Sequence, residues 1–444
     1  MDLAGNRPSN AERLRRFRES SQRRLNHLRG DVTDSQSTVD PAVTIPAAPL
    51  FISATTSVEQ PDFSPEDPRS ACVYDRCDLH SPGSAIQVSL EILQNPCCAH
   101  LAAGVPILRN LQIRLAAGAE LRQPLIRLSV QPREVCGDWT NTPGALSSGG
   151  TVLVRQIPLP FRTALFAVRS GFVDLSVQAV VEDSGVTLFA ATRSLRMFPA
   201  HTIPLTVGRH GDSCWMSAVS VRPDSPALLP LVRTCGDALQ QMDGAACLQG
   251  YISLQQQLEA SPENTEVNLK PIVNAVHAAC LALNQHLSGY VTAPPEVQPA
   301  WQRIRTTEEI HVSRHGNCLD YSVLTASLLE AIGLDPFIVM LPGHAIAGCS
   351  LVPQQWLGQA TGATVPLLTT FSDERSLQTF CQQPVLFLEC TLLPKVADLK
   401  ELSTRGLESL KAGLTSSIAS ADGLQSVTVI SLRTARHLGI RAFS

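Results

Sequence analysis

Short runs of alternating apolar and polar residues fill the chain between residues 84 and 207, and Gly and Pro separate the runs. In one run Val173, Leu175 and Val177 alternate with polar residues. A two-residue period places one side of a strand against a core and the other side in water. Regularly spaced strands of this kind predict an antiparallel β-sandwich over residues 84–207. The predicted strands are 86–93, 107–115, 125–130, 151–157, 164–168, 173–181 and 186–195.

Helical spacing replaces this alternation in the second half of the chain, from residue 208 to the end. Helices and strands that follow a strand-rich half favour an α+β fold, in which the sandwich precedes a second domain over residues 208–444. The predicted helices are 226–242, 264–288 and 318–332. The predicted strands are 337–341, 345–351 and 385–389.

The first 83 residues lack a pattern that would form a core. Residues 31–83 are rich in Ser, Thr and Pro and are predicted to be a disordered linker. Seven arginines against two glutamates give residues 10–30 a formal charge of +5, whereas the whole chain carries −4. This arm is either a solvated helix or an electrostatic tether to a polyanion or a protein partner. Apolar residues at helical spacing predict a basic amphipathic helix over residues 1–30, and they are Leu14, Phe17, Leu25 and Leu28.

The composition is that of an ordinary soluble globular protein, with 44% hydrophobic and 17% charged residues in 444. No uninterrupted apolar stretch of about 18 residues is present, so we expect no membrane span. The start of the chain has no apolar segment followed by a small-residue cleavage site, so we expect no secretion signal. Thirteen cysteines without such a signal are expected to be reduced thiols, which favours a cytoplasmic location.

A candidate nucleophile opens the predicted helix over residues 318–332. Gly316 and Asn317 precede Cys318, and together they allow the chain to turn tightly into the helix. The unpaired N–H groups at a helix N-terminus favour a thiolate over a thiol. Asp320 is expected to cap the same helix through backbone amides.

A nucleophilic thiol needs a base, and the base needs an orienting partner. His344 begins one predicted strand and Glu389 ends another. If these strands are neighbours that pack on the helix of Cys318, the three side chains meet. Gln302 is a candidate donor to an oxyanion, with a buried structural amide as the alternative interpretation.

These segments resemble the core of the transglutaminase and papain-like cysteine-protease superfamily. The shared features are a Gly-x-Cys-x-Asp helix start, a Gly-His strand start and a strand that ends in acid-x-Thr, here completed by Thr391. The resemblance is closest to a bacterial branch in which a β-sandwich and a transglutaminase-like module are often fused to helicase and nuclease domains. Its matching segments here are Gly-Asn-Cys-Leu-Asp-Tyr (316–321), Gly-Leu-Asp-Pro (333–336), Pro-Gly-His-Ala-Ile-Ala-Gly (342–348), Glu-Cys-Thr (389–391), Tyr290 to Pro295 and 302–305.

The resemblance implies a Cys-His-Glu triad that attacks an amide bond of a peptide or protein substrate, with Thr391 in support. Hydrolysis is favoured over transamidation, because most bacterial members of the superfamily look like hydrolases. The alternative is a catalytically inactive interaction module within a DNA- or defence-associated multiprotein system. No phosphate-binding or dinucleotide-binding loop is present, so no cofactor is expected.

Metal binding is not expected, although cysteines and histidines are numerous. Structural zinc sites are usually marked by paired Cys-x2-Cys knuckles, and neither candidate group contains them. One group is His311, His315 and Cys318, and the other is Cys72, Cys77, Cys97, Cys98 and His100.

Overall fold

A computed structural model describes most of the chain from residue 67 onward. The basic helix predicted over residues 1–30 lies outside the described residues, as does most of the linker predicted over 31–83. Of the strand predicted over 164–168, only residue 165 is described. The described residues are 63, 67–162, 165, 171–199, 201–204, 213–244, 247–260, 267–292, 301–355, 365–371, 373–419 and 426–443.

Two four-stranded antiparallel sheets form the N-terminal half. Their orders are β1-β2-β3-β6 and β5-β4-β7-β8. Apolar side chains of both sheets, such as Leu90 and Leu128, join one hydrophobic core, which confirms the strand-rich half of the predicted α+β fold. The strands are β1 (Tyr74–Leu79), β2 (Ile86–Leu93), β3 (Leu108–Leu115), β4 (Pro124–Gln131), β5 (Trp139–Asn141), β6 (Thr151–Gln156), β7 (Val173–Asp183) and β8 (Val186–Met197). A short helix, α1 (Cys98–Ala102), connects β2 to β3.

The folded part begins earlier than the sequence pattern predicts. Strand β1 lies within the segment predicted as a disordered linker over residues 31–83. It is an edge strand, and most of its side chains are exposed or half-buried, with only Leu79 buried. An edge strand of this kind lacks the apolar alternation by which the other strands were predicted.

The second half is built around a five-stranded antiparallel sheet of order β15-β17-β13-β14-β16. The strands of this half are β9 (Thr202–Pro204), β10 (Gly289–Tyr290), β11 (Trp301–Arg303), β12 (His315–Gly316), β13 (Pro336–Leu341), β14 (His344–Ser350), β15 (Leu368–Phe371), β16 (Val385–Leu388) and β17 (Val427–Ser431). The helices are α2 (Ser217–Ser220), α3 (Leu229–Asp243), α4 (Ile252–Ala260), α5 (Lys270–His286), α6 (Thr307–Ser313), α7 (Cys318–Ala331), α8 (Glu374–Cys381), α9 (Leu399–Ala419) and α10 (Leu432–His437).

Helix α7 is buried on every side. Every residue from 319 to 329 is buried. Leu319, Val323 and Ala326 join the core that includes the sandwich, whereas Leu324 and Leu328 join the core formed with α3 and α5. Because α7 is enclosed, its first residue has a fixed position relative to the sheet.

The two halves are also joined by strand pairing. Strand β9 falls within the predicted sandwich boundary of 84–207, yet it pairs with β11 of the second half. Next to this pair the ring of Trp301 stacks on that of Phe198, with centroids 3.7 Å apart. The sandwich therefore ends before β9. Its pairing partner lies about 100 residues away in sequence, and local periodicity cannot show such a contact.

Among the residues that the structure describes, we find no helix whose length and hydropathy would let it span a membrane.

Candidate active site

Cys318 is the first residue of α7, and a capping box fixes the start of that helix. The Asn317 side chain accepts a hydrogen bond from the N–H of Asp320 at 3.0 Å, and Asp320 Oδ2 accepts one from the N–H of Asn317 at 2.9 Å. Asp320 is fully buried, and Arg305 donates to it from Nη1 at 2.6 Å and from its backbone N–H at 2.8 Å. Asp320 therefore supports the turn that carries the thiol.

His344 and Glu389 come from neighbouring strands of the central sheet. Strand β14 pairs with β16 in a register that places Ala347 opposite Leu388. His344 lies three residues before Ala347 and Glu389 directly follows Leu388, so the two side chains are diagonal neighbours. His344 Nε2 lies 3.0 Å from Glu389 Oε2 and 3.2 Å from Oε1.

The Glu389 carboxylate is surrounded by donors. Thr391 donates to Oε1 from its hydroxyl at 2.6 Å and from its backbone N–H at 3.2 Å. Ser409, on α9, donates to Oε2 at 2.7 Å. Burial would raise the pKa of Glu389, but hydrogen bonds from His344, Ser409 and Thr391 outweigh burial and lower that pKa to about 2. The carboxylate is therefore ionised at neutral pH.

The imidazole of His344 is hydrogen-bonded to the carboxylate of Glu389, and Cys318 lies near enough to affect its pKa. Because Glu389 engages Nε2, Nδ1 is the ring nitrogen left for a second partner. Burial would lower the pKa of His344, but its interactions with Cys318 and Glu389 outweigh burial and raise it to about 10. An imidazolium beside the carboxylate is therefore favoured.

Two residues near the triad were not predicted from sequence. Ser409 is the first, and no motif of the chain points to it. Tyr290 is the second: it lies opposite Gly316 in the pairing of β10 with β12, and burial and the neighbouring Cys318 raise the pKa of its phenol. Tyr290 belongs to a segment used for the family resemblance, but that resemblance gave it no role.

Gln302 has no described contact with the triad. It lies in β11 opposite Ile203, and none of the hydrogen bonds recorded for the described residues joins it to Cys318, His344 or Glu389. Its role as an oxyanion donor therefore stays a prediction without a supporting contact.

The two Cys and His groups considered for metal binding have other partners. Cys97 Sγ lies 3.1 Å from His100 Nδ1, and burial raises the pKa of this thiol to about 12, so it is protonated. His311 stacks on His286, with ring centroids 4.8 Å apart, and His315 contacts the backbone carbonyl of Ser313. In the described part of the chain, no three His, Cys, Asp or Glu side chains are arranged to hold a metal ion.

Residues 265–348 match a family model described as a transglutaminase-like domain. This match includes Cys318 and His344, and it confirms the resemblance over these residues. No curated protein matches the chain at a significant level. A crystal structure of a "putative protease" from Parabacteroides distasonis matches over 62% of this chain and 64% of that protein's chain, with 12% identity and a TM-score of 0.14. This chain thus spans less than two thirds of that protein, and a TM-score this low carries no argument.

Proposed function

We propose, with the transglutaminase-like domain of residues 265–348 as the premise, that this chain is a cysteine-nucleophile acyl-transfer enzyme. Its catalytic residues are Cys318, His344 and Glu389. One observation carries the proposal: the imidazole of His344 is hydrogen-bonded to the ionised carboxylate of Glu389, and Cys318, at the start of α7, is near enough to raise the pKa of that imidazole. This is the arrangement that an activated thiol requires.

In the first step the thiolate of Cys318 attacks the carbonyl carbon of an amide. A C–S bond forms, and the π electron pair moves to the carbonyl oxygen. The tetrahedral intermediate collapses when the C–N bond breaks, and the leaving amine takes the proton from His344 Nδ1. The product that remains on the enzyme is a thioester, and His344 is neutral.

In the second step a water molecule attacks the thioester. His344 accepts a proton from that water, the C–S bond breaks, and the acid product leaves while the sulfur regains the electron pair. The side chain of His344 is 28% exposed, so solvent has access to the base. Hydrolysis is the favoured outcome, as the resemblance to bacterial members of the superfamily implies, and attack by a lysine amine at the same thioester would make the reaction a transamidation.

The remaining roles support this reaction. Thr391 and Ser409 hold the carboxylate, and Asp320 holds the helix start that presents Cys318. Peptides or proteins are the proposed substrates. All thirteen cysteines are free thiols, which fits the proposed cytoplasmic location.

The test is acylation by p-nitrophenyl acetate, an activated ester that needs no knowledge of the natural substrate. We expect a burst of p-nitrophenolate and an acetyl group on Cys318, identified by peptide mass mapping. Cys247→Ser is the matched control, because Cys247 is the exposed cysteine and lies in neither the triad nor its support. This control should keep the burst, whereas Cys318→Ala should lose it. A burst that survives in Cys318→Ala would show that Cys318 is not the nucleophile, and a wild-type chain without a burst would favour the alternative of an inactive interaction module.

A further inference from the structure

We propose that the sandwich half carries a binding site for a small phosphate monoester. The site is a cavity of about 390 Å³, lined by residues of β1, β3 and β6 and of the segment before β1. Three arginines line it, and they are Arg69, Arg109 and Arg155. Of the described residues in its wall, none is an Asp, a Glu or a member of the triad. The inference therefore concerns a second site and does not depend on the proposed acyl transfer.

A buried ion pair fixes the first of these arginines. The side chain of Arg69 is 8% exposed, and it donates to the Asp67 carboxylate from Nε at 3.0 Å and from Nη2 at 2.6 Å. Its Nη1 donates to the Ala103 carbonyl at 2.9 Å, and its guanidinium carbon lies 4.2 Å from the centroid of the Phe63 ring. These contacts use three of the five N–H groups of an arginine, so one N–H on each Nη atom is left for a ligand.

A second carboxylate fixes Arg109. Arg109 Nε donates to Glu91 Oε2 at 2.7 Å, and its guanidinium carbon lies over the Tyr74 ring, 3.6 Å from the centroid. Asn110 Nδ2 donates to the same oxygen at 3.0 Å, at a β-bulge where β2 pairs with β3. In the described part of the chain, neither Nη atom of Arg109 has an acceptor, so this fork is also left for a ligand.

Arg155 carries a charge that no described carboxylate balances. It lies in β6 next to Gln156, which is opposite Arg109 in the sheet. Asp67 and Glu91 each form an ion pair with one of the other two arginines, whereas Arg155 forms none with a described residue. Three guanidinium groups and two carboxylates leave a net positive charge, which favours an anionic ligand.

A phosphate monoester fits this cavity better than a carboxylate does. Guanidinium forks bind both groups in a bidentate manner, but a phosphate monoester offers three free oxygens and almost two negative charges at neutral pH. Small-molecule sites have volumes of about 300–1,000 Å³, so the cavity has room for an organic group beside the phosphate. The guanidinium planes over Phe63 and Tyr74 are surfaces on which a flat ring can stack. A nucleoside monophosphate has both parts and is therefore the probe.

The test is isothermal titration calorimetry of the full chain with adenosine monophosphate, adenosine and inorganic phosphate. We expect adenosine monophosphate to bind at one site. Adenosine should bind more weakly by about tenfold or more, because it lacks the charged group. Inorganic phosphate should also bind more weakly, because it lacks the organic group. Arg155→Gln should weaken the binding of adenosine monophosphate by about 10–100-fold, since it removes charge-assisted hydrogen bonds. The side chain of Arg155 is exposed, so this variant should fold as the wild type does.

Arg114→Gln is the matched control, because Arg114 is an exposed arginine of β3 that does not line the cavity. It removes the same charge, and the affinity for adenosine monophosphate should stay within about twofold of wild type. Equal losses in the two variants would overturn the inference, because they would indicate attraction by overall charge. Equal affinities for adenosine monophosphate and adenosine would overturn the role of the phosphate, and equal affinities for adenosine monophosphate and inorganic phosphate would overturn the ester. No binding of adenosine monophosphate would overturn the site itself.

Discussion

Glu389 accepts hydrogen bonds from three side chains and one backbone amide, and this set of donors decides its charge. A carboxylate with so many donors stays ionised although it is 6% exposed. Replacement by Gln keeps the shape and removes the charge. This replacement has two consequences. The imidazole ring of His344 loses the partner that orients it, and the ion pair between the two side chains is lost.

We predict that Glu389→Gln lowers the acylation rate by about two to four orders of magnitude, because Glu389 orients His344 and stabilises its imidazolium. Glu389→Asp should retain more activity, since it keeps the negative charge. The measurement is the rate of p-nitrophenolate release under single-turnover conditions. If the role of Glu389 is purely structural, the ranking should be the opposite: Glu389→Gln should acylate at nearly the wild-type rate, and Glu389→Asp should be no faster than Glu389→Gln.

The variant Glu389→Gln also tests how the free energy of unfolding depends on pH. The lowered pKa of Glu389 stabilises the fold above its ordinary value of 4.5, and this stabilisation is lost as pH falls towards about 2. The raised pKa of His344 stabilises the fold below its ordinary value of 6.5, and this is lost as pH rises towards about 10. The free energy of unfolding of wild type minus that of Glu389→Gln should thus be larger at pH 5.5 than at pH 9, as measured by urea denaturation. A difference that does not change with pH would exclude an ion pair.

Sequence motifs predict Cys318, His344 and Glu389 as candidate site residues, but no motif predicts the residues that surround them. Cys318, His344 and Glu389 each stand at the end of an element, where small or capping residues mark the position. Ser409 lies 20 residues after Glu389 on another helix, and its role depends on how that helix docks. The position of Tyr290 is set by a two-residue strand pairing, which the periodicity of the sequence does not predict.

At the scale of elements, helix α9 approaches strand β16 very closely at one glycine. A Cβ on Gly406 would lie 2.7 Å from the carbonyl carbon and oxygen of Phe387, and backbone atoms cannot move aside cheaply. This approach also brings Ser409 to Glu389 and allows Glu389 N–H to donate to the Leu402 carbonyl at 3.1 Å. Gly406 therefore connects helix packing to the geometry of the triad.

We predict that Gly406→Ala destabilises the protein by about 1–3 kcal/mol, because the added methyl group overpacks the contact between helix and sheet. The acylation rate should fall too, as Ser409 is pushed away from the carboxylate. Thermal unfolding and ester acylation are the two measurements.

Gly413→Ala is the matched control on the same helix. Its Cβ would meet mainly the end of the Leu341 side chain, at 3.0 Å, and that side chain can adjust. Because Ala gains about 1 kcal/mol over Gly in a helix interior, this control should be close to neutral. Equal losses in both variants would contradict the special role of Gly406.

Most predicted elements lie where the sequence pattern puts them. Strand 86–93 matches β2, and helix 318–332 matches α7 to within one residue. Helix α9 was not predicted, although its leucines have helical spacing, because Gly406 and Gly413 weaken its helix propensity. Gly406 is required by the neighbouring strand, and a contact so distant in sequence cannot be inferred from the helix alone.

At the scale of the whole molecule, the basic arm of residues 10–30 is the segment whose predicted role depends on charge rather than on packing. The prediction that the arm tethers the chain to a polyanion or a protein partner stays a prediction, because the arm lies outside the described residues. Deletion of residues 1–40 should leave the melting temperature unchanged, because the sequence pattern there predicts a solvated helix and a linker rather than a core. It should also abolish retention on a heparin column at low salt. Retention equal to that of the full chain would leave the solvated helix as the interpretation.

One face of helix α7 belongs to a hydrophobic core that also includes the sandwich. This shared core limits where the chain can be truncated without loss of the fold. A fragment that starts at residue 208 would contain all three triad residues and most of the matched family segment. It would nevertheless cut through the hydrophobic core that Leu319, Val323 and Ala326 share with the sandwich strands, and expose apolar side chains of that core to water. A unit for expression or transplantation must therefore include the sandwich as well as the second half, and it is larger than the 265–348 segment that matches the family model.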